Sequence, residues 1–142
     1  MTETLRICDV SPRDGLQNEK TASISTADKL RLIDGLVAAG IDYVELTAFV
    51  NPKAVPMMAD AADVMAAVRE KYPDLHATGL VFNEKGYQNA INAGANAIAL
   101  VLIVPDALSE SNTGKTAAQW IDQQTAIIQQ AQSDGVWVRA YL

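Results

Sequence analysis

Apolar residues along this chain fall alternately into short runs and helical stripes. Leu5, Ile7, Cys8 and Val10 form the run of a short strand, and Ser11-Pro12 ends it, because proline has no amide to donate and pushes its predecessor toward extended backbone. From Ser23 the period becomes helical: Leu30, Ile33, Leu36 and Val37 share one stripe, Ser25 or Thr26 supplies a cap, Asp28 sits in the first turn, and Gly40 stops the helix. Residues 41–47 read as a strand with Val44 and Leu46 on one face and Tyr43, Glu45 and Thr47 on the other. Residues 49–53 read as a loop, and Pro56 opens a second helix carrying Met57, Ala61, Val64, Met65 and Val68, closed by Pro73. A third strand covers residues 75–82, and Asn83-Glu84-Lys85-Gly86 turns into a short helix ending at Gly94. Residues 97–104 are a nearly all-apolar fourth strand, as expected where both faces are covered, ended by Pro105. The polar segment 109–115 reads as a flexible connection to a last helix through Trp120, Ile127, Ile128 and Ala131, and residues 136–142 as a fifth strand.

Strict alternation of strand and helix predicts an α/β fold with a parallel sheet and right-handed crossovers. A weak internal repeat supports it: residues 36–46 and 90–100 each read as helix end, glycine (Gly40, Gly94), then strand. Both an open doubly wound sheet and a (β/α)8 barrel satisfy that alternation. The first strand lacks the Gly-x-Gly-x-x-Gly of a dinucleotide fold. Polar residues recur instead at strand ends (Arg13 and Asp14, Glu45 and Thr47, Asn83, Asp106, Arg139 and Tyr141), which favours the barrel, where sites collect at the C-terminal face of the strands. Four βα units plus a fifth strand amount to roughly a half barrel, so that residues 1–142 are expected to be part of a single barrel domain.

A net charge of −6, a pI of about 4.6 and scattered basic residues argue against nucleic acid and anionic membrane as partners. Cys8 is the only cysteine, which excludes an internal disulfide and fits a reducing compartment. Residues 1–4 lack the basic start of a signal peptide, and no apolar run reaches a membrane span, so the expected location is cytoplasmic. His76, the only histidine, begins the third strand, far from its C-terminal end, and is expected to be structural or solvent-facing. The candidate chemistry concentrates between Asp9 and Glu19. Arg13 and Asp14 fall just past the first strand, and Gly15 permits a tight turn or positive φ, so that the arginine fork, the carboxylate and the amides of Gln17 and Asn18 face one volume. That arrangement reads either as an anion-plus-metal site or as an ion pair capping a turn. Glu45, an acid in mid-strand, requires a cation or a hydrogen-bond partner.

Five segments then occur in a telling order: Ser-Pro-Arg-Asp-Gly-Leu-Gln-Asn-Glu at 11–19, Val-Glu-Leu-Thr-Ala-Phe-Val-Asn-Pro-Lys at 44–53, Val-Pro-Met-Met-Ala-Asp at 55–60, Asn83-Glu84-Lys85-Gly86 and Val138-Arg139-Ala140-Tyr141. Together they resemble the 3-hydroxy-3-methylglutaryl-CoA lyases over essentially the whole chain, within the N-terminal half of that family's TIM barrel. The resemblance implies a retro-Claisen cleavage of 3-hydroxy-3-methylglutaryl-CoA to acetyl-CoA and acetoacetate, dependent on Mg2+ or Mn2+. It implies Asp14 as a metal ligand, Arg13 as the catalytic cation at the enolate, Glu45 as a catalytic-site acid beside that arginine, and Gln17, Asn83 and Tyr141 as substrate-pocket positions. Pairing Glu45 with Arg13 would also answer the cost of burying the acid. The chain departs from the family at Pro105-Asp106, where a Ser-Glu pair is usual. The family's His-x-His ligands, asparagine ligand and mobile-loop cysteine belong to its C-terminal half, and His76 and Cys8 match none of them. The expectation is therefore a lyase N-terminal half, truncated or split, inactive alone, with an acyl-CoA substrate and with a second copy or a complementary C-terminal half as partner. The alternatives are a half-barrel assembly module and a lyase for another hydroxyacyl-CoA.

Overall fold

The computed structural model describes residues 5–19 and 23–142; the expectation that residues 1–4 lead into the first strand lies outside the described residues. Five parallel strands, β1 (Cys8–Asp9), β2 (Tyr43–Phe49), β3 (His76–Val81), β4 (Ala97–Val101) and β5 (Trp137–Tyr141), lie side by side in chain order. Between them run α1 (Thr26–Ala38), α2 (Ala61–Lys71), α3 (Glu84–Asn92), α4 (Asp106–Thr113) and α5 (Ala117–Ser133). When every right-handed crossover steps the same way across the sheet, all helices fall on one face. The core shows this: Val44, Leu46, Ala77, Val81, Ile98 and Leu100 pack with Ile33 of α1, Val64, Met65 and Val68 of α2, Tyr87 and Ala90 of α3, and Ile127 and Ala131 of α5.

The opposite face curls inward. Four inter-strand steps of a flat sheet would set β1 and β5 roughly 19 Å apart, more than two side chains span. Yet Arg139 of β5 donates to Cys8 Sγ of β1 at 3.1 Å. The sheet is half of a closed barrel, with β1 and β5 as open edges, and the choice between open sheet and barrel falls to the barrel. The sequence repeat is also structural: Gly40 and Gly94 take φ of +87° and +90°, and the amides of Ile41 and Ala95 close back on the carbonyls of Leu36 and Ala90 at 3.1 and 3.0 Å.

Three expectations are corrected. Residues 109–115 do not form a flexible loop. Most of that segment belongs to α4, which packs on α5, buries Ser109 fully and ends at Gly114 in the left-handed region; packing overrides the weak helix propensity of its serines, asparagine and threonine. The fourth strand accordingly stops at Val101. The second helix begins at Ala61, and Pro56–Met58 forms a separate 3-10 turn. Buried Lys29 of α1 holds that turn by donating Nζ to the Met57 carbonyl and to Asp60 Oδ1. Val44 and Leu46 share the helix-covered face, as the alternation expects. The register shifts between Glu45, opposite Thr78, and Thr47, opposite Gly79, so Ala48 joins Met58, Leu80 and Ala99 in the inner apolar cluster. Among the described residues no helix is long and apolar enough to cross a membrane.

Gly86 couples α3 to the end of β2. A Cβ there would lie 2.6 Å from the backbone oxygen of Phe49. Alanine is favoured over glycine in a helix by about 1 kcal/mol, but backbone oxygen cannot swing aside as a side chain can, so Gly86→Ala is expected to destabilise by about 1–3 kcal/mol. A urea midpoint at or above that of the unsubstituted chain would show that the contact yields.

Candidate active site

The segment that follows β1 builds the site. Asp9 Oδ1 accepts from the amide and hydroxyl of Ser11, and the carbonyl of Val10 receives the amides of Arg13, Asp14 and Gly15 at 3.2, 2.7 and 3.4 Å. The result is one π-helical turn, Ser11–Gly15, with Pro12 in its first turn, where a missing amide costs nothing. Of the two options expected at Gly15, the tight turn is taken and a positive φ is not used. Winding the turn this wide places Arg13 inward over the sheet and Asp14 outward: the Arg13 side chain is 8% exposed and that of Asp14 61%.

Glu45, fully buried on β2, finds the partner it requires in Arg13. Arg13 Nε donates to Glu45 Oε1, and its Nη1 donates to Asp14 Oδ1 at 2.7 Å. The second oxygen of Glu45 accepts from Tyr141 Oη at 2.8 Å and faces Arg139 Nη1 at 3.4 Å. Tyr141 Oη also accepts from Arg13 Nη2 at 3.4 Å, and its ring lies beneath the Arg139 guanidinium at 4.5 Å. Arg13, Glu45, Arg139 and Tyr141 are thus one network drawn from the turn after β1, from β2 and from β5. Burial works against the Arg13 charge, but Glu45 more than offsets it and the guanidinium is held above its ordinary pKa. Burial, and then the bond to Glu45, push the Tyr141 phenol up. Both groups are therefore fixed in one protonation state at neutral pH.

The cavity bordered by Cys8, Val10, Arg13, Asp14, Val101, Arg139 and Tyr141 measures about 360 Å³. Of the residues singled out in the sequence, Arg13, Asp14, Glu45 and Tyr141 meet here. Gln17 is half-buried beyond the turn and makes no hydrogen bond with the network. Asn83 stands apart as the cap of α3, where its Oδ1 accepts from the Gly86 amide at 2.8 Å. Asp106, at the site of the departure from Ser-Glu, accepts from the amide that opens α5 at 2.7 Å. His76 stacks on Tyr43 at 4.0 Å with Trp137 nearby, forming an aromatic floor at the opposite end of the strands. Arg139 was missed as a site residue. Its signal was present, since it lies two positions before Tyr141 on one strand and so shares its face.

A hard cation at this cavity would find one exposed carboxylate, Asp14, with one oxygen already engaged by Arg13. No group of three His, Cys, Asp or Glu able to hold a metal occurs among the described residues. Asp14 fits as a single oxygen ligand, and the described residues do not amount to a complete metal site.

A half barrel whose buried arginine and exposed carboxylate converge past the C-terminal end of its first strand has the architecture of the parallel (β/α) barrels, whose enzymes place their chemistry at that end. The HMGL-like family model matches residues 4–140, and the chain belongs to this family. It is 37% identical over 142 residues to the 3-hydroxy-3-isohexenylglutaryl-CoA/hydroxy-methylglutaryl-CoA lyase of Pseudomonas aeruginosa, covering all of this chain and 47% of that protein. A solved HMG-CoA lyase from Brucella melitensis superposes with a TM-score of 0.89 at 38% identity, over 99% of this chain and 49% of the other. One from Acinetobacter baumannii, in complex with coenzyme A and 3-methylmalate, gives 0.84 at 34% identity, over 99% and 46%. The chain spans about half the length of the relatives it matches.

Proposed function

We propose that this chain carries the arginine-and-carboxylate half of a lyase site that cleaves 3-hydroxy-3-methylglutaryl-CoA to acetyl-CoA and acetoacetate. The observation that carries the reading is the buried Arg13 guanidinium, held by Glu45 and Tyr141 beside the exposed Asp14 carboxylate. Breaking the carbon–carbon bond leaves negative charge on the thioester oxygen as an enolate, and a fixed cation aimed at that oxygen lowers the barrier without reorganising. Arg13 suits this role because Glu45 takes its Nε, while each Nη, bonded once to Asp14 or Tyr141, keeps a second N–H to donate in a direction set by the planar fork. Glu45 orients that fork, Tyr141 closes its far side, and Gln17 and Asn83 extend the substrate contacts. Asp14 supplies one ligand to Mg2+ or Mn2+, which when bound polarises the substrate oxygens and eases loss of the tertiary hydroxyl proton.

The test is acetyl-CoA release from 3-hydroxy-3-methylglutaryl-CoA with Mg2+, by the 142-residue chain alone and by the chain mixed with the C-terminal half of the Pseudomonas relative. Release by the mixture and not by the chain alone is expected. Ordinary turnover by a preparation of confirmed 15 kDa mass would refute the half-site reading, and silence in both would refute the activity. A panel of CoA thioesters in the same assay decides the acyl group, since the Pseudomonas relative is named for two of them.

A second reading, an assembly module that pairs through its edges, is favoured by the open strands β1 and β5 and by Leu5, Ile7 and Leu142, all strongly exposed. It expects self-association at micromolar concentration, and a monodisperse monomer in light scattering would count against it.

A further inference from the structure

We infer that Arg139 is a positioning residue that serves as the counter-ion of Glu45, leaving the charge of Arg13 available to an anion in the cavity. Glu45 is fully buried and presents its two oxygens to different cations, Oε1 to Arg13 Nε and Oε2 to Arg139 Nη1 at 3.4 Å. Arg13 and Arg139 carry two positive charges, and Glu45 and Asp14 two negative ones. Without Arg139, Glu45 would cancel Arg13 and the exposed Asp14 would make the cavity repel anions. With Arg139 present the buried part of the cluster is positive, because Coulomb attraction falls only with the first power of distance and acts well beyond a tight hydrogen bond. The packing holds Arg139 in this place. Its guanidinium lies over the Tyr141 ring at 4.5 Å, and Tyr141 is itself bonded to Glu45, so the cation, the ring and the carboxylate form one stack. The side chain is 27% exposed and lines the same cavity as Arg13.

The only cysteine of the chain reads this charge directly. Cys8 Sγ lies 3.1 Å from Arg139 Nη1 on the cavity wall, with Glu45 and Asp9 as the other charged groups around it. Burial raises the thiol pKa and Arg139 opposes that rise. Alkylation of Cys8 by iodoacetate, an anion, divided by alkylation by neutral iodoacetamide, gives a ratio from which thiol pKa and general accessibility largely cancel, leaving the local potential. The experiment measures this ratio on the 142-residue chain and on Arg139→Gln and Arg139→Lys. The expected result is a several-fold fall in Arg139→Gln and recovery of most of it in Arg139→Lys. An unchanged ratio in Arg139→Gln, or a loss in Arg139→Lys as deep as in Arg139→Gln, overturns the inference. Should Arg139→Gln fail to fold, salt on the unsubstituted chain serves instead. At about 1 M, screening shortens to roughly 3 Å and the iodoacetate preference must fall; a ratio indifferent to salt overturns the inference equally. The readout involves no lyase turnover, so it stands or falls separately from the proposed function.

Discussion

Glu45→Gln is expected to lower the unfolding free energy of this chain by about 3–5 kcal/mol, the cost of removing one partner from a buried ion pair. The substitution keeps volume and shape, so lost packing contributes little. What it removes is the charge that two guanidiniums share, and what it leaves is Arg13, 8% exposed, with only the outward Asp14 as a counter-ion. The replacement amide also presents N–H groups on one side, and in either orientation one of them points at a donor, toward Arg13 Nε or toward Arg139. The measurement is urea unfolding at neutral pH. An unchanged midpoint would mean that Glu45 holds nothing in place, and with it the role of Glu45 in orienting Arg13 would fail. The double substitution Glu45→Gln with Arg139→Gln provides the internal control, because it removes one charge of each sign. Its loss should be smaller than the sum of the two single losses, as expected for residues in one network.

The same residue shows what was legible before any coordinates. A glutamate in the middle of an apolar strand is a local contradiction, and such contradictions tend to mark sites. The sequence stated the need for a cation or a hydrogen-bond partner near Glu45, and the resemblance around Arg13 named the cation. What remained hidden was the second one. Arg139 lies 94 positions away, and its approach depends on the curl that brings β5 over β1, a global property of the sheet with no local signature. The barrel side of the fold question was reached by the placement of polar residues at strand ends. The strand order then settled it, because sequential parallel neighbours force all helices to one face.

The failures have physical causes of the same kind. In α4 the residues Ser109, Ser111, Asn112 and Thr113 favour turns when read alone, and the helix exists because α5 covers it and Thr113 Oγ1 returns to the Ser109 carbonyl at 2.8 Å. Lys29 sat unnoticed between polar and apolar positions of α1, since a lysine in a helix is ordinarily solvated. Here it is 3% exposed and pins the turn that delivers Met58 to the inner cluster. The cap that Asn83 supplies to α3 through its Oδ1 was not read from the sequence, where the resemblance implies it only as a substrate-pocket position. A capping asparagine and a substrate-binding one look alike in sequence, since both occur where a strand gives way to a helix.

Arg13→Lys is expected to reduce kcat by about 10²–10³-fold, the range found when one preorganised donor to a developing oxyanion is lost. The assay is lyase turnover by the chain completed with the C-terminal half of a relative. Lysine keeps the positive charge, so the substitution isolates geometry. Arg13 makes three directional contacts from one planar group, Nε to Glu45, Nη1 to Asp14 and Nη2 to Tyr141. A single ammonium cannot reproduce three bonds fanned in a plane, and near Glu45 it would settle against that carboxylate, withdrawn from the cavity. Because the lost interaction belongs to the enolate-like transition state, KM should change far less than kcat. A fall in kcat/KM carried entirely by a rise in KM, with kcat intact, would assign Arg13 to ground-state binding. A loss smaller than about tenfold in kcat would show that charge alone suffices, and the network that fixes the fork would then serve stability and not turnover.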